Sequence, residues 1–123
     1  RGVDGTGFET ELTAIVQALR AKTVRNLVWL AGDVHYVQGA AYDPDGDGKP
    51  DFHEFIAGPL SAYHGRVADP HPAFGPRRLF AESGFDNFGI VTVTDAAFRV
   101  ELVDADGRVR YQHTVRAEEF VAP

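Results

Sequence analysis

A continuous apolar run directly after an amphipathic helix is the feature that most restricts how this chain can fold. The run covers residues 26–31 and does not alternate with polar positions, which indicates a strand buried on both faces in the parallel part of a sheet. The helix is predicted over residues 7–21, where apolar side chains recur at helical spacing. Helix and buried strand make half of a β-α-β unit, and the strand that should precede them is absent. We therefore expect residues 1–123 to be the C-terminal part of a single domain that lacks its upstream half.

The remainder of the chain is predicted to be mostly β. Extended segments are expected at residues 36–42, 52–57 and 90–94, and an irregular stretch at residues 58–76. Apolar and polar positions alternate on both sides of a turn at residues 104–107, which predicts a β-hairpin. A short helix is predicted over residues 76–83, because a proline begins it and a glycine follows it. The expected fold class is α/β (α+β), with a helix and a buried strand leading into an antiparallel, β-rich C-terminal section.

Composition excludes several classes of function. The formal net charge of −6 repels phosphate backbones and argues against sequence-independent nucleic-acid binding. The chain has no cysteine, so disulfides, thiolate zinc sites and cysteine nucleophiles are excluded. The longest apolar run is too short for a transmembrane segment. Neither a phosphate-binding P-loop motif nor a serine-hydrolase elbow motif occurs.

A carboxylate and an imidazole follow the predicted buried strand, in the sequence Gly32-Asp33-Val34-His35. Ligand sites in open α/β sheets lie beyond the carboxyl ends of strands. In an extended segment Asp33 and His35 would project to the same side, and together they are a plausible ligand pair for a metal ion. The alternative is structural: Asp33 caps a turn and His35 is a polar residue at a strand end.

A second pattern lies in the acidic loop that follows. Its side chains match positions 1, 3, 5, 9 and 12 of an EF-hand calcium loop, with a backbone carbonyl at position 7. Flanking helices are not predicted here, so the hypothesis is a calcium-stabilised connection between two strands. The alternative is a turn-rich loop that needs no ion. The candidate ligands are Asp43, Asp45, Asp47, Lys49, Asp51 and Glu54, with Gly48 at the sharp turn.

The other histidines are weaker candidates. His113 is expected to pack in the core and His53 to be exposed beside the acidic loop. His64 and His71 lie in the irregular stretch, where a substrate-facing role is one alternative. Tyr36 is expected to pack, and residues 86–87 to form a turn.

Four segments in order resemble the end of a PhoD-like alkaline phosphatase and phosphodiesterase domain. They are LVWLAGDVHY, YDPDGDGKPDFHEFIAGPLSA, NFGIVTV and VELVDADGRVRYQHTV, and together they cover nearly the whole chain. The family is similar to the calcineurin-like metallophosphoesterases, in which αβ layers hold a dinuclear metal centre at strand ends. Their last metal motif is usually Gly-His-x-His, and this chain has Gly-Asp-Val-His at that place. The upstream ligand motifs of such domains have no counterpart here.

The resemblance implies metal-dependent hydrolysis of phosphate monoesters or diesters in the intact protein. Asp33 and His35 then become ligands of the dinuclear centre, with Ca²⁺ and Fe³⁺ as the expected ions. The substrate is a phosphorylated small molecule or a phosphodiester, and the expected location is extracytoplasmic: periplasmic, secreted or at the cell surface. This chain alone is expected to be inactive. The alternative function is a non-catalytic calcium-binding β-rich module built around the acidic loop.

Overall fold

The computed structural model describes residues 8–24 and 27–117. Within them, one α-helix and seven strands form three layers: the helix, a four-stranded sheet and a three-stranded sheet. The elements are α1 (Glu9–Ala21), β1 (Leu27–Ala31), β2 (Val37–Tyr42), β3 (Phe52–Ile56), a 3₁₀ turn (Pro72–Phe74), β4 (Pro76–Glu82), β5 (Asn87–Val93), β6 (Ala97–Asp104) and β7 (Val109–Arg116). The expected α+β class with a β-rich C-terminal section is confirmed.

The four-stranded sheet is mixed and has the order β1-β3-β2-β4. β1 pairs in parallel with β3, whereas β2 is antiparallel to both β3 and β4. The parallel pairing predicted for the first strand is therefore confirmed. Its burial on both faces is not found, since β1 is an edge strand among the described residues and Leu30 is 60% exposed. The apolar composition of β1 would allow burial on both faces, but among the described residues β1 pairs only with β3.

The four-stranded sheet separates two hydrophobic clusters because successive side chains of a strand point to opposite faces. On β3, Phe52 belongs to the cluster on the helix side and Phe55 to the cluster against the second sheet. The helix-side cluster consists of Val16, Ala40, Tyr42, Phe52 and Phe74, with Leu27 and Trp29 packed against it. The cluster between the sheets is built on Val37, Phe55, Val100, Leu102 and Val115.

Helix α1 covers the sheet with a narrow stripe. Val16 is its buried residue, whereas Leu12 and Ile15 are 40% and 44% exposed. No helix in the described part of the chain is long and apolar enough to cross a membrane.

The helix predicted over residues 76–83 is wrong, because this segment forms β4 against β2. β2 is buried along its whole length, and its backbone groups on this side find their partners in β4. The packing of Phe80 fits this pairing: its ring lies over Gly39 and stacks on Tyr111 with a centroid distance of 4.8 Å. Proline and glycine at the two ends of the segment suit a strand between turns as well as a helix.

The predicted C-terminal hairpin is confirmed as β6 and β7, with β5 added on the other side of β6. At its turn the Asp104 carboxylate accepts hydrogen bonds from the backbone N–H groups of Asp106 and Arg108. The hydrogen bond from Arg108 is the main reason why the pKa of Asp104 lies below its usual value, and Arg110 adds to the effect. The turn is therefore stabilised by an ionised carboxylate.

Burial of Leu102 between the sheets predicts a large effect of its truncation. The side chain is 0% exposed, so Leu102→Ala is expected to lower the free energy of unfolding by about 2–5 kcal/mol. The matched control is Leu60→Ala, because Leu60 is 76% exposed and its loss should change stability by no more than about 0.5 kcal/mol. Urea unfolding of both variants measures the difference. Equal effects would contradict the assignment of the core.

Candidate functional site

Residues 32–36, which we name the GDVH turn, connect the carboxyl end of β1 to β2 as a sharp bend. The Val34 N–H donates to the Gly32 carbonyl oxygen over 2.9 Å, which makes a three-residue turn centred on Asp33. Asp33 and His35 have φ angles of 73° and 63°, in the left-handed region. The extended geometry assumed from sequence is therefore not found. Such conformations cost about 1–3 kcal/mol each in non-glycine residues and concentrate at functional sites.

The imidazole of His35 is held in one orientation. Its Nδ1 lies 2.8 Å from the carbonyl oxygen of Tyr63. Because a carbonyl only accepts, Nδ1 carries a proton, and in the neutral ring Nε2 therefore carries the lone pair. The rings of His35 and Tyr63 are also in contact, with centroids 4.3 Å apart. Metal-binding histidines usually have this arrangement: one ring nitrogen donates its N–H to a carbonyl or carboxylate, and the other nitrogen binds the metal.

The segment that holds His35 is the loop after β3, residues 58–65, which we name the flanking loop. β1 and β3 are parallel and end together, with Ala31 paired to Ile56, so the segments that follow them meet at one edge of the sheet. The Gly65 N–H donates to the His35 carbonyl oxygen over 2.8 Å. A Cβ atom at Gly65 would lie 2.2 Å from the carbonyl oxygen of Val34. Only glycine permits this close approach without moving the GDVH turn.

Asn87 anchors the flanking loop to the start of β5. The side chain is buried, its Oδ1 accepts from the Gly58 N–H over 2.7 Å, and its Nδ2 donates to the Gly58 carbonyl over 2.8 Å. The backbone N–H of Asn87 donates to the Pro59 carbonyl oxygen. At the other end of the loop, the Ser83 hydroxyl donates to the Gly65 carbonyl oxygen. The sequence predicts only a turn at this asparagine. Only the pairing of distant segments shows its role.

The flanking loop also places a second imidazole near the GDVH turn. His64 lies between Tyr63 and Gly65, which both hydrogen-bond to His35. Its Nε2 is 3.0 Å from a carboxylate oxygen of Asp86, and both side chains are more than a third exposed. Asp33 is exposed and His35 half-buried in the turn. His64 lies on the flanking loop, and its partner Asp86 lies directly before β5.

The acidic loop brings three of its six predicted ligands together. One carboxylate oxygen from each of Asp43, Asp45 and Asp47 lies within 4.8 Å of the others. Asp43 accepts hydrogen bonds from the backbone N–H groups of Gly46, Asp47 and Gly48. Desolvation opposes ionisation of Asp43, but these bonds, that from Gly48 above all, hold its pKa below the usual value. The loop therefore fixes one carboxylate with its own backbone.

Two of the other predicted ligands, Asp51 and Glu54, are engaged elsewhere. The Arg20 guanidinium, from α1, forms ion pairs with Asp45 and, at 3.1 Å, with Asp51. Burial raises the pKa of Asp51, and Arg20 opposes that rise. Glu54 accepts a 2.7 Å hydrogen bond from the Tyr42 hydroxyl on the helix side of the sheet. The Lys49 N–H donates to the Asp47 carboxylate.

Of the remaining histidines, His53 corrects an expectation. It was expected to be exposed but is 3% exposed, because its place on β3 directs it toward the second sheet. Its ring lies 5.9 Å from that of His113, which is half-buried and in contact with Phe55 as expected. The expected packing of Tyr36 is confirmed, since the residue is 7% exposed.

Comparison with known protein families identifies the family of this chain. The family model described as PhoD-like phosphatase matches residues 3–113. The chain therefore belongs to the PhoD-like phosphatase family. Neither the comparison with curated proteins nor that with solved structures found a match.

The close approach of Gly65 to the GDVH turn predicts that Gly65→Ala displaces His35. The added methyl group would overlap the Val34 carbonyl, so the turn must move and the His35 ring should lose its bond to Tyr63. The imidazole signals of His35 in NMR spectra are expected to shift. The matched control is Gly89→Ala, where the new Cβ would lie 3.4 Å from Ala57, an ordinary contact. Unchanged His35 signals in Gly65→Ala would contradict this account of the turn.

Proposed function

We propose that the intact protein hydrolyses phosphate monoesters or diesters at a two-metal centre, with Asp33 and His35 among the metal ligands. The observation that carries the proposal is the orientation of the His35 imidazole. Its Nδ1 is fixed by the Tyr63 carbonyl, so the lone pair on Nε2 is available to bind a metal ion. Membership of the PhoD-like phosphatase family supports the type of reaction. The position beyond the ends of two parallel strands supports the site.

The two side chains fit a metal ion by their chemistry. A carboxylate supplies negative charge and a neutral imidazole supplies a nitrogen, which suits hard and borderline cations. Bound metals would supply Lewis-acid activation of the phosphoryl group and a nucleophilic water. The family resemblance favours Ca²⁺ and Fe³⁺. Because His35 must be neutral to bind, metal affinity should fall as the imidazole becomes protonated at low pH.

We also propose that residues 1–123 are the C-terminal part of one metallophosphoesterase domain. β1 is an apolar edge strand within the described residues, and the apolar side chains of Leu12, Ile15 and Leu30 are 40–60% exposed. An exposed apolar strand edge of this kind promotes association in an isolated chain. A further strand and layer of the same domain would cover it. The proposed location is extracytoplasmic, which cell fractionation tests.

The test is hydrolysis of a chromogenic phosphodiester and its monoester by the full open reading frame. Wild type is expected to turn over with added metal, and Asp33→Ala and His35→Ala are expected to lose at least about 100-fold of the activity, since supporting residues alone typically cost 10–100-fold. The control is Asp106→Ala, at the hairpin turn far along the chain from the site. The ratio of the two substrates distinguishes monoesterase from diesterase.

Two outcomes would contradict the proposal. Full turnover in a folded Asp33→Ala or His35→Ala variant would remove that residue from the metal centre. Absence of turnover in a folded, metal-loaded wild type would mean that the family fold is present without its chemistry. The chain of 123 residues alone is expected to be inactive, and activity of that chain would contradict the proposed division of the domain.

The clustered carboxylates of Asp43, Asp45 and Asp47 favour one second candidate, a calcium-binding β-rich module. Here the ion would stabilise the connection between β2 and β3 without any catalysis. The guanidinium of Arg20 is the obstacle, because it already forms ion pairs with Asp45 and Asp51. Calcium must displace it or bind on the opposite side of the loop.

Thermal unfolding with calcium and with a chelator tests this candidate. If the loop binds calcium, the melting temperature rises with calcium in wild type and the rise is lost in Asp47→Ala. Arg20→Gln should bind calcium more tightly because the competing cation is removed. Asp106→Ala, in the other acidic turn, should behave as wild type. Equal melting temperatures in calcium and chelator would exclude the candidate.

A further inference from the structure

The described residues form four edge strands, which lie in two pairs on opposite sides of the two packed sheets. β1 and β4 are the outer strands of the four-stranded sheet, and β5 and β7 are those of the three-stranded sheet. β4 lies against β7, since Phe80 stacks on Tyr111 and Glu82 forms an ion pair with Arg110. β1 lies against β5 on the other side, where both strands line the same grooves. We name the side with β4 and β7 the closed side, and the side with β1 and β5 the open side.

The closed side has the composition of an edge that faces solvent. Charged side chains and proline are means by which proteins prevent a further strand from pairing with an edge. The two strands of the closed side contain one proline and five charged residues: Pro76, Arg77, Arg78 and Glu82 in β4, and Arg110 and Arg116 in β7. The ion pair between Glu82 and Arg110 also joins the two sheets across this side. The closed side is therefore protected against additional strands.

The open side has none of this protection. β1 has the sequence LVWLA and β5 the sequence NFGIVTV, without proline or any charged residue. Large apolar side chains are exposed on both strands: Leu30 by 60%, Val93 by 70%, Ile90 by 44% and Phe88 by 42%. Each of the two strands pairs with a single neighbour among the described residues. Two uncharged, apolar edges side by side are a template for pairing with further strands.

An open groove separates β1 from β5 and extends the core to the surface. Its volume is about 160 Å³, and every residue that lines it is apolar. Leu30 from β1 and Val91 from β5 belong to the lining, together with Val100 and Leu102 from the core between the sheets. Because burial of apolar surface is favourable, one body that covers this groove would bury both edges together.

The position of α1 identifies the polypeptide that supplies this body. The helix packs on the four-stranded sheet through Val16 and leads into β1, which runs parallel to β3. A helix that packs on a sheet and enters a parallel strand is the second half of a β-α-β unit, whose first strand lies in the same sheet. Since β3 occupies one side of β1, the neighbouring place that remains for this first strand is on the open side.

We propose that in the intact protein both sheets continue past β1 and β5, with strands from the part of the same polypeptide that precedes α1. One strand pairs with β1, and another pairs with β5 and closes the groove. The GDVH turn then leaves an inner strand of the completed sheet instead of an edge strand. This inference rests on the proposed division of the domain, but it requires neither phosphoester hydrolysis nor a metal ion.

Hydrogen exchange at single amides in the product of the full open reading frame tests the proposal. Successive backbone N–H groups of a strand point to opposite sides, so an edge strand directs part of them away from its only neighbour. The outward N–H groups of β1 and β5 are expected to exchange at least about 100-fold more slowly than those of β4 and β7, the matched control edges. Exchange that is equally fast in β5 and β7 would show that no strand pairs with β5, and the proposal would be wrong.

The concentration dependence of this exchange distinguishes an upstream strand from a second copy of the protein. Slow exchange of the β5 amides that is independent of protein concentration supports a strand of the same polypeptide. Slow exchange that is lost on dilution, together with dissociation of a dimer in light scattering, would assign the open side to an interface between copies. That result would overturn the proposal whether or not the intact protein hydrolyses phosphoesters.

Two valines on opposite sides provide an independent test by mutation. Val93 on β5 is 70% exposed and Val109 on β7 is 49% exposed within the described residues, so these exposures alone predict that Val93→Lys is the milder change. If a strand covers β5 in the intact protein, Val93→Lys places a charge in a buried position. It should then lower the melting temperature by at least about 5 °C more than Val109→Lys does. Equal melting temperatures, or a larger loss in Val109→Lys, would contradict the proposal.

Discussion

The parallel pairing of β1 with β3 is the interaction on which the candidate site depends. Because the two strands run in the same direction and end in register, the GDVH turn and the flanking loop leave the sheet at the same edge. Hydrogen bonds between Tyr63, Gly65 and His35 then form between segments almost thirty residues apart in the chain. An antiparallel pairing would send the two loops to opposite ends of the sheet and leave the imidazole without its carbonyl partner.

The strained backbone of the GDVH turn is maintained by this same junction. Two non-glycine residues in the left-handed region would relax in an isolated loop. Here Gly65 lies directly against the Val34 carbonyl, and Asn87 fixes the other end of the flanking loop through Gly58. Rigid support of this kind would orient a metal ligand. A mobile side chain would lose conformational entropy when it bound the metal, and the affinity for the metal would be lower.

The parts of the fold that the sequence predicts correctly are those whose signal lies within a single segment of the chain. The helix and the C-terminal hairpin are encoded by periodicity within each segment, the first strand is encoded by a continuous apolar run, and all three form. β4 was misread as a helix because proline and glycine mark ends without specifying the element between them, and pairing with β2 decides the outcome. His53 was misread because the burial of β3 on both faces depends on a second sheet more than thirty residues away. The role of Asn87 has no local signal, since its partner Gly58 belongs to another segment.

The two candidate ion sites differ in what an arriving cation would replace. In the acidic loop, Asp43 is already satisfied by backbone N–H groups, and Asp45 and Asp51 by Arg20. A cation there must compete with protein partners, so part of its binding energy is spent on breaking existing contacts. At the GDVH turn the Tyr63 carbonyl bonds to Nδ1 of the His35 ring, and this partner prepares Nε2 for a ligand instead of competing for it. Preorganisation therefore favours the GDVH turn as the primary metal site, although the acidic loop carries more negative charge.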